Sequence, residues 1–255
     1  MTITTTIVSA FISNMNNNRS TIEYINYGFN FLFTPIHKII FIDESISEEI
    51  KESIPDNFKE YVHIISSKFE DCYLYDYKEQ IIKFNIETDN ISKDTLNYMC
   101  IINNKLDFIR KAIELNIFNS TQFIWVDFGI KHIDKHNTEN NDFFCQSIVN
   151  LKNNIYNKVR IGSIWEPTQT LYDKYITEQK IYNQVIWVFA GGVFGGDIES
   201  LLKFDKLSKD MCLNIIKEKR NILWETSIWY MIYLENTDLF SLYNCDHNLS
   251  LINNY

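Results

Sequence analysis

At 255 residues and 45% apolar content the chain can bury a sizeable core, and its three prolines and the lack of a Gly/Ser/Pro-rich linker favour one α/β unit over two. A net charge of −9, with lysines scattered and no basic stripe, argues against a nucleic-acid surface. Five widely spaced cysteines without a CxxC pair read as reduced thiols. The start, Met1-Thr2-Ile3-Thr4-Thr5-Thr6, lacks the pattern of a signal peptide and no apolar run reaches membrane-span length, so a soluble cytoplasmic protein is expected.

The first apolar run, Thr6-Ile7-Val8-Ser9-Ala10-Phe11-Ile12, predicts a buried strand followed by a polar turn ending at Arg19. Ser20 or Thr21 then caps a helix carrying Ile22, Tyr24, Ile25, Phe29 and Phe33. A second run over 38–43 ends in Asp43. Strand, helix and strand in that order predict a right-handed βαβ unit and a parallel sheet. Shorter strands are expected at 62–65 and 81–84.

Met99, Ile102, Leu106, Ile109 and Ile113 recur at helical spacing and predict an amphipathic helix that also carries Lys105. Asn119-Ser120 break it, and Gln122-Phe123-Ile124-Trp125-Val126 is a third buried strand with Asp127 at its end. After a polar loop, a helix is expected over 143–156, a strand over 159–164, a helix over 171–181 and a strand over 185–189. Four of the chain's seven glycines then fall in Gly191-Gly192-Val193-Phe194-Gly195-Gly196, which reads as either a tight turn or the wall of a ligand site. Asp197 caps a helix running towards Lys219, Trp224-Glu225-Thr226-Ser227 opens another, and Asp246-His247 lies in the polar tail.

In open parallel sheets, ligands gather beyond the carboxyl ends of the strands. That rule collects Ala10, Phe11 and Arg19, Asp43, Asp127 and the glycine segment into one site. Asp127, at the rim of the core, is a metal ligand, or else a strand-end cap or salt-bridge partner; His247 and Asp246 are its distant candidate partners, and a His with carboxylates suits Mn²⁺ better than Mg²⁺. Such a cation would let an acidic protein accept an anionic nucleotide. Lys105 and Arg19 offer fixed positive charge for a diphosphate. Glu225 shares a helix face with Ile228, Trp229 and Ile232, so it points inward as a general base, as a group that orients an acceptor hydroxyl, or only as a complement to the helix dipole. Trp165, Trp187, Trp224 and Trp229 supply rings for a sugar to stack on or simply for the core. Walker, Rossmann, GxSxG and HExxH signatures do not occur.

Taken in order, Ile7-Val8-Ser9-Ala10-Phe11 with Arg19, Asn104-Lys105, Phe123-Ile124-Trp125-Val126-Asp127-Phe128-Gly129-Ile130, Phe189-Ala190-Gly191-Gly192-Val193-Phe194-Gly195-Gly196, Trp224-Glu225-Thr226 and Asp246-His247 resemble the bacterial HtrL/YibB family. That family looks like a branch of the GT-A glycosyltransferases. The resemblance implies an α/β, GT-A-like (Rossmann-like) fold: a mixed, mostly parallel central sheet flanked by helices, in a single domain over 1–255. About 1–130 would form the nucleotide-sugar half and about 131–255 the acceptor half.

The implied reaction moves a sugar from a nucleotide-diphosphate-sugar donor, a UDP-sugar foremost, to a hydroxyl of a glycan or glycoprotein acceptor. In it Asp127 and His247 hold Mn²⁺ or Mg²⁺, while Ala10, Phe11, Arg19, Asp43, Lys105 and Trp125 surround the nucleotide. Gly191 and Gly192 line the sugar, and Glu225 and Asp127 carry the chemistry. The chain departs from the family pattern at Asp127-Phe128-Gly129, where one carboxylate of Asp-x-Asp is gone. Either Asp127 and His247 with phosphate oxygens and water suffice for a metal, or cationic side chains replace it. The same gap motivates an alternative, a noncatalytic nucleotide-sugar or carbohydrate-binding module on the same fold.

Overall fold

The computed structural model describes residues 4–12, 20–88, 90, 93–134 and 141–255. The first apolar run folds as β1 (Thr5–Phe11), and its side chains alternate between two cores. Val8 packs in one with Ile39, Phe41, Phe123 and Trp125, whereas Ile7 packs in the other with Ile40, Ile42, Ile124 and Val126. Burial on both faces is why these strands read as unbroken apolar runs, and it requires a layer of helices on each side.

Ser20 caps α1 (Thr21–Leu32) reciprocally: its hydroxyl accepts from the Glu23 N–H and the Glu23 carboxylate accepts from the Ser20 N–H. β2 (His37–Asp43), α2 (Ser47–Ser53) and β3 (Val62–Ser67) follow. The strand expected at 81–84 is instead the end of a one-turn helix, α3 (Lys78–Ile81). Ile81 is fully buried but Ile82 is 66% exposed, and local bonds from Ile82 N–H to Lys78 O and Phe84 N–H to Ile81 O satisfy the backbone without a sheet.

The helical period over 99–113 is split into α4 (Leu96–Asn103) and α5 (Lys105–Leu115) at Asn104, whose side-chain oxygen accepts from the Tyr73 N–H. The break sets Lys105 in the first turn of α5, beside the end of β4 (Gln122–Val126). α6 (Asn141–Asn150), β5 (Val159–Ser163), α7 (Gln169–Thr177) and α8 (Lys180–Asn183) come next. β6 (Phe189–Asp197), α9 (Ile198–Asn214), α10 (Glu225–Glu235), β7 (Phe240–Asn244) and α11 (Ser250–Asn253) complete the chain. The sheet order is β3-β2-β1-β4-β6-β5-β7, and β6 alone runs antiparallel to its neighbours, so the sheet is mixed but mostly parallel, as expected.

The glycine segment corrects the sequence reading: it is strand β6, in the middle of the sheet, and 185–188 only leads into it. None of the glycines has a positive φ, so backbone freedom is not what the segment uses. Phe189 and Phe194 face one core, Ala190 and Val193 the other, so the alternation slips across Gly191-Gly192. The pairing shows the same slip, because the stretch from Ala190 to Phe194 lies opposite the single step from Gly162 to Ile161 in β5. Gly191, Gly192 and Val193 are thus extra residues on β6, an irregularity of the bulge kind, which bends a strand and re-aims its backbone.

Lys38 in β2 is completely buried and donates to Thr34 O at 2.6 Å and Ile36 O at 2.7 Å. Burial pulls its pKa down from 10.5 to about 7. The native state therefore binds fewer protons than the unfolded chain between those values, and stability rises with pH across that window. Denaturant midpoints followed from neutral to alkaline pH should climb less for Lys38→Met than for the unmodified protein.

All five cysteines are free, and burial pushes the Cys72, Cys100 and Cys212 thiols up to about 12, which leaves them poor nucleophiles. Among the described residues no helix is long and apolar enough to cross a membrane.

Candidate functional site

Two adjoining cavities, of about 390 and 190 Å³, open beyond the carboxyl ends of β1 and β4. Lys105, Asp127, Lys93, Tyr98 and His132 border both. Asp127 follows β4 and its N–H donates to Gly192 O at 2.9 Å, which ties it to the bulge in β6. Its Oδ1 accepts from Trp125 Nε1 at 2.6 Å and stands 3.1 Å from Lys105 Nζ. The same ammonium lies 3.0 Å from Glu225 Oε1 and donates to Gly191 O at 3.0 Å. Its three N–H groups thus face three acceptors from three separate elements.

The side chains of Lys105 and Glu225 are 9% and 5% exposed, whereas that of Asp127 is 35% exposed. Burial pushes the Glu225 pKa above its ordinary value, and the charge of Asp127 adds to this while Lys105 opposes it. Burial works against the charge on Lys105, yet Asp127 and Glu225 together outweigh it and raise the pKa of the ammonium. Glu225 opens α10, where the helix dipole favours a negative charge. Its Oε2 is buried and, among the described residues, accepts no hydrogen bond, and neither Thr226 Oγ1 nor Ser227 Oγ has a partner there. A Cβ on Gly191 would stand 2.6 Å from Glu225 Oε1 and 3.3 Å from Lys105 Nζ, so only glycine lets the strand reach this ion cluster.

Most of the residues singled out in the sequence converge here. Ala10, Phe11, Trp125, Lys105 and Asp127 line the larger cavity; Gly191, Gly192, Glu225 and His247 join Lys105 and Asp127 around the smaller. Trp187 and Trp224 line the smaller cavity too, but Trp229 is core. Asp43 borders neither cavity: its carboxylate turns back to accept from Ser45 N–H at 3.0 Å and Ser45 Oγ at 2.5 Å, closing the turn after β2. Arg19 lies outside the described residues.

Lys93, Tyr98, Tyr24, His132 and Thr226 line the cavities without having been singled out for the site. His132 carried a signal, since it follows the strand-end Asp127 by one short turn and its Nδ1 lies 2.7 Å from Gly129 O. Lys93 precedes α4 in an irregular stretch where no spacing marks it.

The divalent cation implied by the resemblance requires donors. Asp127 Oδ1 is already engaged by an indole N–H and an ammonium. The His247 ring packs edge-on against Trp187, centroids 4.7 Å apart at 88°. Among the described residues no three His, Cys, Asp or Glu side chains group closely enough to hold a metal ion. This donor set does not fit a cation held by the protein alone.

No family model and no curated protein matches the sequence. Among solved structures, the chain is similar to apo mouse xyloside xylosyltransferase 1, with TM-score 0.50 and 13% identity over 95% of this chain and 86% of that one. It is also similar to the galactosyltransferase LgtC in complex with donor and acceptor sugar analogs, with TM-score 0.46 and 12% identity over 94% and 73% of the two chains. A glycosyltransferase involved in the glycosylation of the major capsid of PBCV-1 gives TM-score 0.41 and 11% identity over 94% and 81%. The first of these likenesses shows the fold: this chain is a single α/β domain built, like that xylosyltransferase, on a mixed, mostly parallel central sheet flanked by helices.

Proposed function

We propose that the chain is a glycosyltransferase of the HtrL/YibB type, moving a sugar from a nucleotide-diphosphate-sugar donor, a UDP-sugar first, to a hydroxyl of a glycan or glycoprotein. The observation that carries this reading is the Lys105 ammonium set between Asp127 and Glu225 where the two cavities meet. The larger cavity, walled by Phe11, Tyr24 and Trp125 from the first half of the chain, takes the nucleotide. The smaller, with Trp187, Trp224, Gly191 and Gly192 from the second half, takes the sugar and the acceptor.

In the transfer, the acceptor oxygen bonds to the anomeric carbon as the bond from that carbon to the diphosphate oxygen breaks, and the electron pair leaves with the nucleoside diphosphate. Lys105 stabilises the charge that grows on the leaving oxygens. Glu225, whose raised pKa and buried, unpartnered Oε2 suit a base, takes the hydroxyl proton. Taking that proton weakens its hold on Lys105 and turns the ammonium further towards the phosphate. Asp127 orients the ammonium from the solvent side.

Release of nucleoside diphosphate from a panel of nucleotide sugars tests the reading. The unmodified protein should hydrolyse at least one donor slowly, and Asp127→Asn should lose about a hundredfold or more of that rate while melting at the same temperature. Unchanged turnover in Asp127→Asn would remove Asp127 from the mechanism. The single carboxylate at Asp127-Phe128-Gly129 also supports the binding-module reading, for which saturable binding without turnover on any donor is the signature.

A further inference from the structure

The second carboxylate of Asp-x-Asp is not merely replaced by Gly129; its space is filled. A Cβ on Gly129 would lie 2.8 Å from the ring of Tyr24. That ring is stacked on Phe11 with centroids 5.4 Å apart, and Phe11 in turn stacks on Phe128 at 5.3 Å. A carboxylate cannot enter position 129 unless this aromatic stack moves. The place where a metal site would gain its second acidic ligand has been made part of the cavity wall.

Opposite that wall stands Lys105. Its backbone is fixed from the next residues of α5, where buried Asp107 pairs with Lys209 of α9 at 2.5 Å and with Arg110 at 2.8 Å. Of the three acceptors around the ammonium, Asp127 Oδ1 alone is given a second side-chain donor among the described residues, Trp125 Nε1. One N–H of Lys105 can therefore pass from Asp127 to a phosphate oxygen without leaving that carboxylate unpaired. A second lysine, Lys93, borders the same two cavities, its ammonium 5.5 Å from the centre of the Tyr98 ring. A divalent cation brought to Asp127 would face the repulsion of an ammonium already bound there.

We infer that Lys105 meets the donor diphosphate in place of a divalent cation, with Tyr24 closing the position of the missing carboxylate, so that nucleotide binding is independent of metal. The inference rests on the glycosyltransferase reading above. It assigns to one side chain the neutralisation that a metal ion otherwise supplies.

Calorimetric titration of the full chain with UDP, GDP, ADP, CDP and inorganic pyrophosphate, each in EDTA and again in Mn²⁺, tests it. At least one nucleoside diphosphate should bind with the same affinity in both buffers, and Mn²⁺ alone should give no binding heat. Lys105→Met should weaken that binding in EDTA by about tenfold or more. If that variant does not fold, the charge-balanced double variant Lys105→Met/Glu225→Gln serves the same purpose. Binding seen only with Mn²⁺, or undiminished in the folded lysine variant, overturns the inference and leaves the glycosyltransferase reading standing. No binding of any probe in either buffer overturns both.

Discussion

Lys105→Met is expected to destabilise the protein by about 3–5 kcal/mol at neutral pH and to remove donor turnover, because it strips the counter-charge from a buried carboxylate. Glu225, 5% exposed, has Lys105 as its ion-pair partner and, among the described residues, no hydrogen bond at Oε2. Without the ammonium its pKa, already above 4.5, climbs further. The native state then holds a proton that the unfolded chain releases. The stabilisation from that bound proton is fully present below pH 4.5 and is lost as pH rises through the raised native pKa. The variant should therefore be least impaired in acid and most impaired in mildly alkaline buffer. Lys105→Met/Glu225→Gln should recover most of the stability, because the second substitution removes the stranded charge, but none of the turnover. Denaturant midpoints of the two variants across pH, read beside donor hydrolysis, separate the structural from the chemical role. Full recovery of turnover in the double variant would contradict the role given to the ammonium.

The parts of this molecule that were legible in its sequence are those with a side-chain signal. β1, β2 and β4 announce themselves because both faces are covered, so Ile7 and Val8, or Ile124 and Trp125, are apolar without interruption. β6 hides because glycine carries no hydrophobic signal and disfavours strands. Its neighbours decide the matter, and they lie far away in the chain. β7 hides for another reason: only Phe240 and Tyr243 are buried in it, a spacing of three that does not look like a strand.

The site shows the same division. Asp127, Lys105 and Glu225 were each visible, Asp127 by its strand-end position and Glu225 by the face it shares with Trp229. Their joining through one ammonium was not, since it depends on a break at Asn104 that turns Lys105 towards β4. The strand-end rule also gathered Asp43, because it says where a strand stops and not which way the chain then bends. Ser45 two residues later holds that carboxylate away from the cavities.

The four glycines of β6 should separate into two pairs when substituted, and Gly195→Ala should be among the most damaging changes to the fold. A Cβ at Gly195 would stand 2.5 Å from Phe123 O and 2.9 Å from Ile124 Cα, both backbone atoms of the neighbouring strand β4, and 2.6 Å from the Tyr255 hydroxyl. A Cβ at Gly196 would stand 2.5 Å from Lys158 O. Backbone in the middle of a sheet cannot yield as a side-chain end can, so strands must part for either change. The expected cost for Gly195→Ala is about 3 kcal/mol or more. For a domain of this length that lowers the melting temperature by roughly 6–12 °C.

Gly192 differs because the atoms nearest its would-be Cβ are Ile130 Cδ1 and Leu251 Cδ2 at 3.1 Å, both ends of side chains and not backbone, followed by Asp127 Oδ2 at 3.6 Å. Gly192→Val should therefore cost little in melting temperature while crowding the carboxylate and the smaller cavity, so donor turnover falls by more than stability does. Thermal melts and donor hydrolysis measured side by side check the pair. A Gly195→Ala protein that melts with the unmodified one would show that β6 has room the packing denies. If Gly192→Val keeps full turnover, the bulge in β6 is a packing device, and the smaller cavity does not hold the transferred sugar.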